Sequence, residues 1–68
     1  MTISDRFKVG DILEICTMRG KLEGICTLNN GDRLVYLGNS QAKVVTGESE
    51  GWLVTLAVDA PVIVIYPD

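Results

Sequence analysis

The chain predicts an all-β fold, a small barrel of five or six short antiparallel strands, and three observations carry that reading. A Gly-Asp phrase occurs twice, as Val9-Gly10-Asp11-Ile12-Leu13 and Asn30-Gly31-Asp32-Arg33-Leu34. Each copy sets a tight-turn step in front of an apolar run suited to a half-buried strand. Short apolar and β-branched runs then recur at close spacing, with polar turns between them. No segment repeats its apolar residues at the helical period.

Residues 1–6 read as a short arm ahead of one domain that takes the whole span 1–68. Ile12 to Met18 is the first expected strand, with Leu13, Ile15 and Thr17 on one face. Arg19-Gly20-Lys21 is a charged tip around a glycine that accepts positive φ. Leu22 to Leu28 is a second strand interrupted by Gly24, and Asn29-Asn30-Gly31-Asp32 is the strongest turn signal in the chain. Arg33 to Leu37 is the third strand, closed by Gly38-Asn39-Ser40, and Ala42 to Thr46 is the fourth. Gly47 to Gly51 turns the chain into a fifth, Trp52 to Val58, with Trp52, Val54, Leu56 and Val58 on one face. Asp59-Ala60-Pro61 leads into the sixth, Val62 to Tyr66. Both faces of these last two strands are apolar, since Leu53, Thr55 and Ala57 back the Trp52 face and Ile63 and Ile65 back Val62 and Val64. A sheet with one wet face alternates more cleanly, so an inner face or an interface must cover the excess.

With 68 residues, the chain lies near the lower limit for a self-sufficient core, yet 47% of it is apolar. There is no His and there are only two Cys, which excludes a four-ligand Cys/His zinc site within one chain and any Ser-His or Cys-His pair. Asp11 and Asp32 are read as caps of their own turns rather than as paired catalytic carboxylates. The glycines are dispersed and open no helix, so no phosphate loop is expected. Neither an enzyme nor a cofactor follows from this inventory. The net charge is −3 and the cations are scattered, as Arg6, Lys8, Arg19, Lys21, Arg33 and Lys43, so nucleic acid is not the expected partner.

Cys16 and Cys26 lie in a small duplication, Ile15-Cys16-Thr17 and Ile25-Cys26-Thr27. A turn near Gly20 would bring the two sulfurs together as a redox pair; the competing reading, preferred here, makes both small buried hydrophobes in a reducing compartment. Met1 to Lys8 has no apolar signal-like stretch and no run reaches transmembrane length, which places the expected location in the cytoplasm, away from membranes. Trp52 is expected in the core beside Val54 and Leu56, with an interface anchor as the alternative. The outward apolar candidates are then Leu53, Ile63 and Ile65, with Arg19 and Lys21 as a charged rim.

The order of these pieces resembles an SH3-type barrel. Gly31-Asp32-Arg33-Leu34 resembles the stretch after the diverging turn, and Ala42 to Thr46, the Gly47–Gly51 turn and Trp52-Leu53 resemble the distal hairpin. Pro61 to Tyr66 stands where such domains carry a short 3₁₀ turn and a closing strand. Phe7 to Gly10 and Asn39 to Gln41 hold no aromatic ladder, so the proline-rich ligands of that family are not implied. The opening through Gly20-Lys21 and Gly24-Ile25 is also similar to a KOW-type segment and to small SH3-like accessory proteins encoded by bacteriophages. The resemblance implies a non-catalytic, protein-binding accessory or inhibitory factor acting on a larger partner. A KOW-like nucleic-acid module and a structural subunit of a homo-oligomer are the alternatives.

Overall fold

The repeated Gly-Asp phrase folds into the same object twice. In the first copy Gly10 takes a φ of 97° and in the second Gly31 takes 92°, the left-handed conformation that a tight turn of this kind requires at its third position. The Asp11 amide donates to the Lys8 carbonyl at 3.0 Å, and the Lys8 amide donates back to Asp11 Oδ2 at 2.8 Å. Asp32 and Asn29 repeat the pattern, at 3.0 Å for the backbone bond and 2.9 Å for the carboxylate bond. Both aspartates cap their own turns, as expected.

The computed structural model describes residues 6–24 and 26–67, and within them the chain forms seven short strands and no helix. They are β1 (Ile12–Ile15), β2 (Lys21–Leu22), β3 (Leu28–Asn29), β4 (Arg33–Gly38), β5 (Gln41–Val44), β6 (Leu53–Thr55) and β7 (Val62–Tyr66). All pairings are antiparallel. Five strands make one sheet in the order β6-β5-β4-β1-β7, and β2 and β3 form a separate hairpin. Among the described residues no pairing joins β6 to β7, so the expected barrel is an open sheet with these two strands at opposite edges.

Pleating sends Leu13, Ile15, Leu34, Tyr36, Ala42 and Val44 to one face, where they meet Phe7, Leu28, Leu56 and Val62 as the core. The Phe7 and Tyr36 rings tilt against each other with centroids 5.6 Å apart. Tyr36 is buried, and its hydroxyl accepts the Ser40 amide at 3.1 Å. This bond anchors a two-residue hairpin whose central residues, Asn39 and Ser40, both have positive φ.

Several boundaries differ from the sequence reading. The first strand ends at Ile15 instead of Met18 because the Asn30 side chain takes over Thr17: its Oδ1 accepts the Thr17 amide at 3.0 Å and its Nδ2 donates to the Thr17 carbonyl at 2.8 Å. The Leu22–Leu28 strand is instead a hairpin, with Gly24 in the bend between β2 and β3. The fifth strand shrinks from Trp52–Val58 to Leu53–Thr55. Val54, half-buried, opposes the fully buried Ala42, but the chain has left the sheet at both ends, and Trp52 and Val58 are exposed.

Arg6, assigned to the arm, is part of the body. Its guanidinium donates to the carbonyls of Val58, Ala60 and Val62 at 2.6, 3.2 and 3.1 Å and lies 4.6 Å from the Phe7 ring centroid. The rest of the proposed arm, residues 1–5, lies outside the described residues.

Gly47 supplies a close approach that a side chain cannot share. Its φ is 92°, and a Cβ there would lie 2.5 Å from both carboxylate oxygens of Asp32. Gly51 has a φ of 93° with nothing within 4 Å of the same point. Gly51→Ala should therefore cost about 1 kcal/mol for the backbone alone. Gly47→Ala should cost about 2–3 kcal/mol, because Asp32 must also abandon its turn. Urea denaturation of the two variants measures the difference, and equal losses would show that the Asp32 approach is immaterial.

Candidate functional site

The β2–β3 hairpin does not pair with the main sheet, and a groove of about 370 Å³ runs along β6, one of the two edges of that sheet. Leu22, Glu23, Gly24, Cys26 and Leu28 line it from the hairpin side, and Trp52, Leu53, Val54 and Thr55 line it from β6. The lining is mostly apolar and falls in the size range of small-molecule and peptide sites.

Side-chain bonds hold the groove open at its base. Ser49, in the middle of the Gly47–Gly51 turn, is 4% exposed, and its hydroxyl donates to the Thr27 carbonyl at 2.6 Å. Asn29 Nδ2 donates to Glu48 Oε1 at 3.2 Å. The Gly47–Gly51 turn is thereby fastened to β3, while the Asn30 amide donates to the Gly20 carbonyl at 2.8 Å across the mouth of the hairpin. Lys21 and Glu23 form an ion pair at 3.5 Å with both side chains more than half exposed. Such a pair adds little to stability.

Trp52 is the residue whose placement departs most from expectation. It is 48% exposed on the groove wall rather than buried in the core. The reason is local: the Trp52 amide donates to the Ser49 carbonyl at 3.1 Å, so the residue belongs to the turn as much as to the strand. The core placement is thereby overturned, and the ring stands on the groove wall.

The other site residues divide. Leu53 is 62% exposed and lines the groove; it opposes Lys43, on the outer face of the sheet. Ile63 is exposed on that same outer face but on β7, at the far edge. Ile65 is only half-buried, because the register skips it: Leu13 pairs with Val64 and Ile12 with Tyr66, and the intervening bulge withdraws Ile65 from the regular alternation. The bulge turns Tyr66 outward, where Arg33 lies 5.5 Å from its ring centroid and 3.9 Å from Glu14. Leu53 and Ile63 thus share a face but not an edge. Arg19 and Lys21 are exposed at and just before β2, outside the groove lining.

Both cysteines are free. Cys16 is exposed and Cys26 half-buried in the groove wall, so neither is the fully buried hydrophobe expected of it. Cys16 follows the buried Ile15 and so falls on the outer face, while its amide extends the β1–β7 pairing by donating to the Pro61 carbonyl at 2.8 Å. Ile25, in the second copy of the Ile-Cys-Thr duplication, lies outside the described residues. Among the described residues no group of His, Cys, Asp or Glu is placed to hold a metal ion, and no helix is long and apolar enough to cross a membrane.

No family model, curated protein or solved structure matches the chain.

Replacing Ser49 by Ala leaves the Thr27 carbonyl without its partner, at an expected cost of about 1 kcal/mol. The loss should be local. Hydrogen exchange at the Asn30 amide, which closes the hairpin, should accelerate several-fold more than at the Tyr36 amide, which donates to Asp11 in the sheet. Uniform acceleration at both amides would mean that Ser49 supports the whole fold and not the groove.

Proposed function

We propose that this chain is a non-catalytic protein-binding module of SH3-like architecture that docks onto a larger partner through the groove between the β2–β3 hairpin and β6. The half-exposed Trp52 on an apolar groove wall carries the reading. A large ring held by its backbone at the mouth of a depression offers area with few torsions to freeze, which is why tryptophan recurs at binding hot spots. Leu53 beside it extends the apolar surface.

The SH3-like part of the proposal draws support from the hairpin that β5 and β6 make around the Gly47–Gly51 turn, where the resemblance puts the distal hairpin. β7 follows Pro61 and lies against β1, in the place of the closing strand. A ligand-binding role asks nothing of the chain that it lacks: no base, metal or cofactor is needed to fill an apolar groove.

A tagged chain retained on a matrix should capture a protein from bacterial lysate after nuclease treatment, and Trp52→Ala should reduce that capture by about tenfold or more. Ile63→Ser, on the opposite edge, should leave it within about twofold. Capture that survives in the Trp52 variant and fails in the Ile63 variant would move the contact to β7 and end the groove reading.

A further inference from the structure

The groove runs along a strand whose backbone is half used. Val44 donates to the Trp52 carbonyl at 2.9 Å, and Leu56 donates to the Ser40 carbonyl at 2.7 Å. In an antiparallel pair the residues alternate between those bonded across the pair and those facing away. The Trp52 carbonyl, the Leu56 amide and, between them, Val54 therefore face β5, the Trp52 amide being spent on the Ser49 carbonyl, and Leu53 and Thr55 direct their amides and carbonyls away from it. β6 is the edge strand, so that outward side is the groove side.

Glu23 is the one charged residue in the groove lining among the described residues. Its present partner, Lys21, is a half-exposed ammonium that an incoming cation can replace at little cost. Glu48, bonded to Asn29, and the exposed Glu50 lie outside the lining, in the turn that leads into Trp52, and Lys43, opposite Leu53, is the one cation of the β5–β6 pair. The wall therefore combines a free strand edge, an apolar lining and a carboxylate.

Resting on the binding role proposed above, we infer that the occupant of the groove is an extended peptide segment that adds to β6 as a further strand, alternating apolar residues with basic ones. Its amides and carbonyls pair with those of Leu53 and Thr55, as in strand addition at other sheet edges. Its apolar side chains lie against Leu22 and Trp52, and a lysine or arginine meets Glu23. β6 offers only two outward residues, which makes the contact weak and reversible by itself.

Cys26 gives the experiment its readout, since it lines the groove while Cys16 lies outside it. The probes are a capped hexapeptide of alternating valine and lysine, the same peptide N-methylated along its pairing edge, and a capped hexapeptide of alternating valine and glutamate. Maleimide labelling of the intact chain is followed at each cysteine by mass spectrometry. With the valine–lysine peptide at about four times its Kd, labelling of Cys26 should slow roughly fivefold, because only the free fraction reacts, while Cys16 keeps its rate. The Leu53 and Thr55 amides should shift in the same titration, and the other two peptides should give less than about twofold protection. Absence of Cys26 protection by the valine–lysine peptide at millimolar concentration overturns the inference. Equal protection by the N-methylated peptide overturns strand addition but leaves the groove as a binding site, and equal protection by the valine–glutamate peptide overturns the role of Glu23. The broader binding proposal fails separately, through capture that is indifferent to Trp52.

Discussion

Everything in this fold hangs from the way the two Gly-Asp turns brace each other across β1 and β4. A constant offset along the chain carries Gly10, Asp11, Leu13 and Ile15 onto Gly31, Asp32, Leu34 and Tyr36. The hydrogen bonds obey the same operation. Gly10 donates to the Tyr36 carbonyl and Gly31 to the Ile15 carbonyl, while Tyr36 donates to Asp11 and Ile15 to Asp32, all within 2.8–3.1 Å. Leu13 opposes Leu34 at the centre of the arrangement, and both are fully buried. Each turn thus fixes the register of the strand that follows the other. A one-residue slip in either would send its apolar set to solvent and break both turns.

The outer parts of the sheet depend on this centre to different degrees. β7 attaches to β1 and is held from its leading end by Arg6, whose guanidinium gathers three carbonyls from the segment before and at the start of β7. β5 attaches to β4 through a two-residue hairpin that Tyr36 caps from below, and β6 attaches only to β5. The Gly47–Gly51 turn returns to the centre by another route, because Gly47 closes onto Asp32 and Thr46 Oγ1 accepts the Arg33 amide at 2.8 Å. Asp32 therefore shapes its own turn and also seats the turn that delivers Trp52 to the groove.

The sequence made the centre legible because its signals there are local. Two identical turn phrases, each followed by alternating apolar residues, predict two capped turns and two half-buried strands, and the β7 span Val62–Tyr66 was likewise readable from a turn and an uninterrupted β-branched run. What escaped depends on contacts between distant residues. The period of Trp52, Val54, Leu56 and Val58 is real, but a period cannot say where a strand ends, and β6 stops after Thr55. The bulge at Ile65 leaves no local mark, and neither does the reach of Asn30 to Thr17 that ends β1. Ser49 has the composition of a solvated turn, and only the nearness of Thr27 makes it a buried strut. Part of the groove was readable as exposed apolar residues, Leu53 above all. Its other wall was hidden by reading β2 and β3 as one strand.

The groove follows from the size of the chain. So small a domain has too little interior to bury an apolar share of 47%, and some apolar surface must remain outside wherever the fold disposes of it. A regular sheet would scatter that surface over its outer face. Here the long excursion between β1 and β4 forms a hairpin that donates Leu28 to the core and leaves Leu22 and Cys26 packed only partly against it. Because Ser49 and Asn29 tether this hairpin at its base, its apolar side stands opposite β6 at a fixed separation instead of collapsing onto the edge. The same polar contacts that stabilise the excursion thus concentrate the surplus apolar surface in one concave place, beside the only strand edge with an exposed tryptophan at its end.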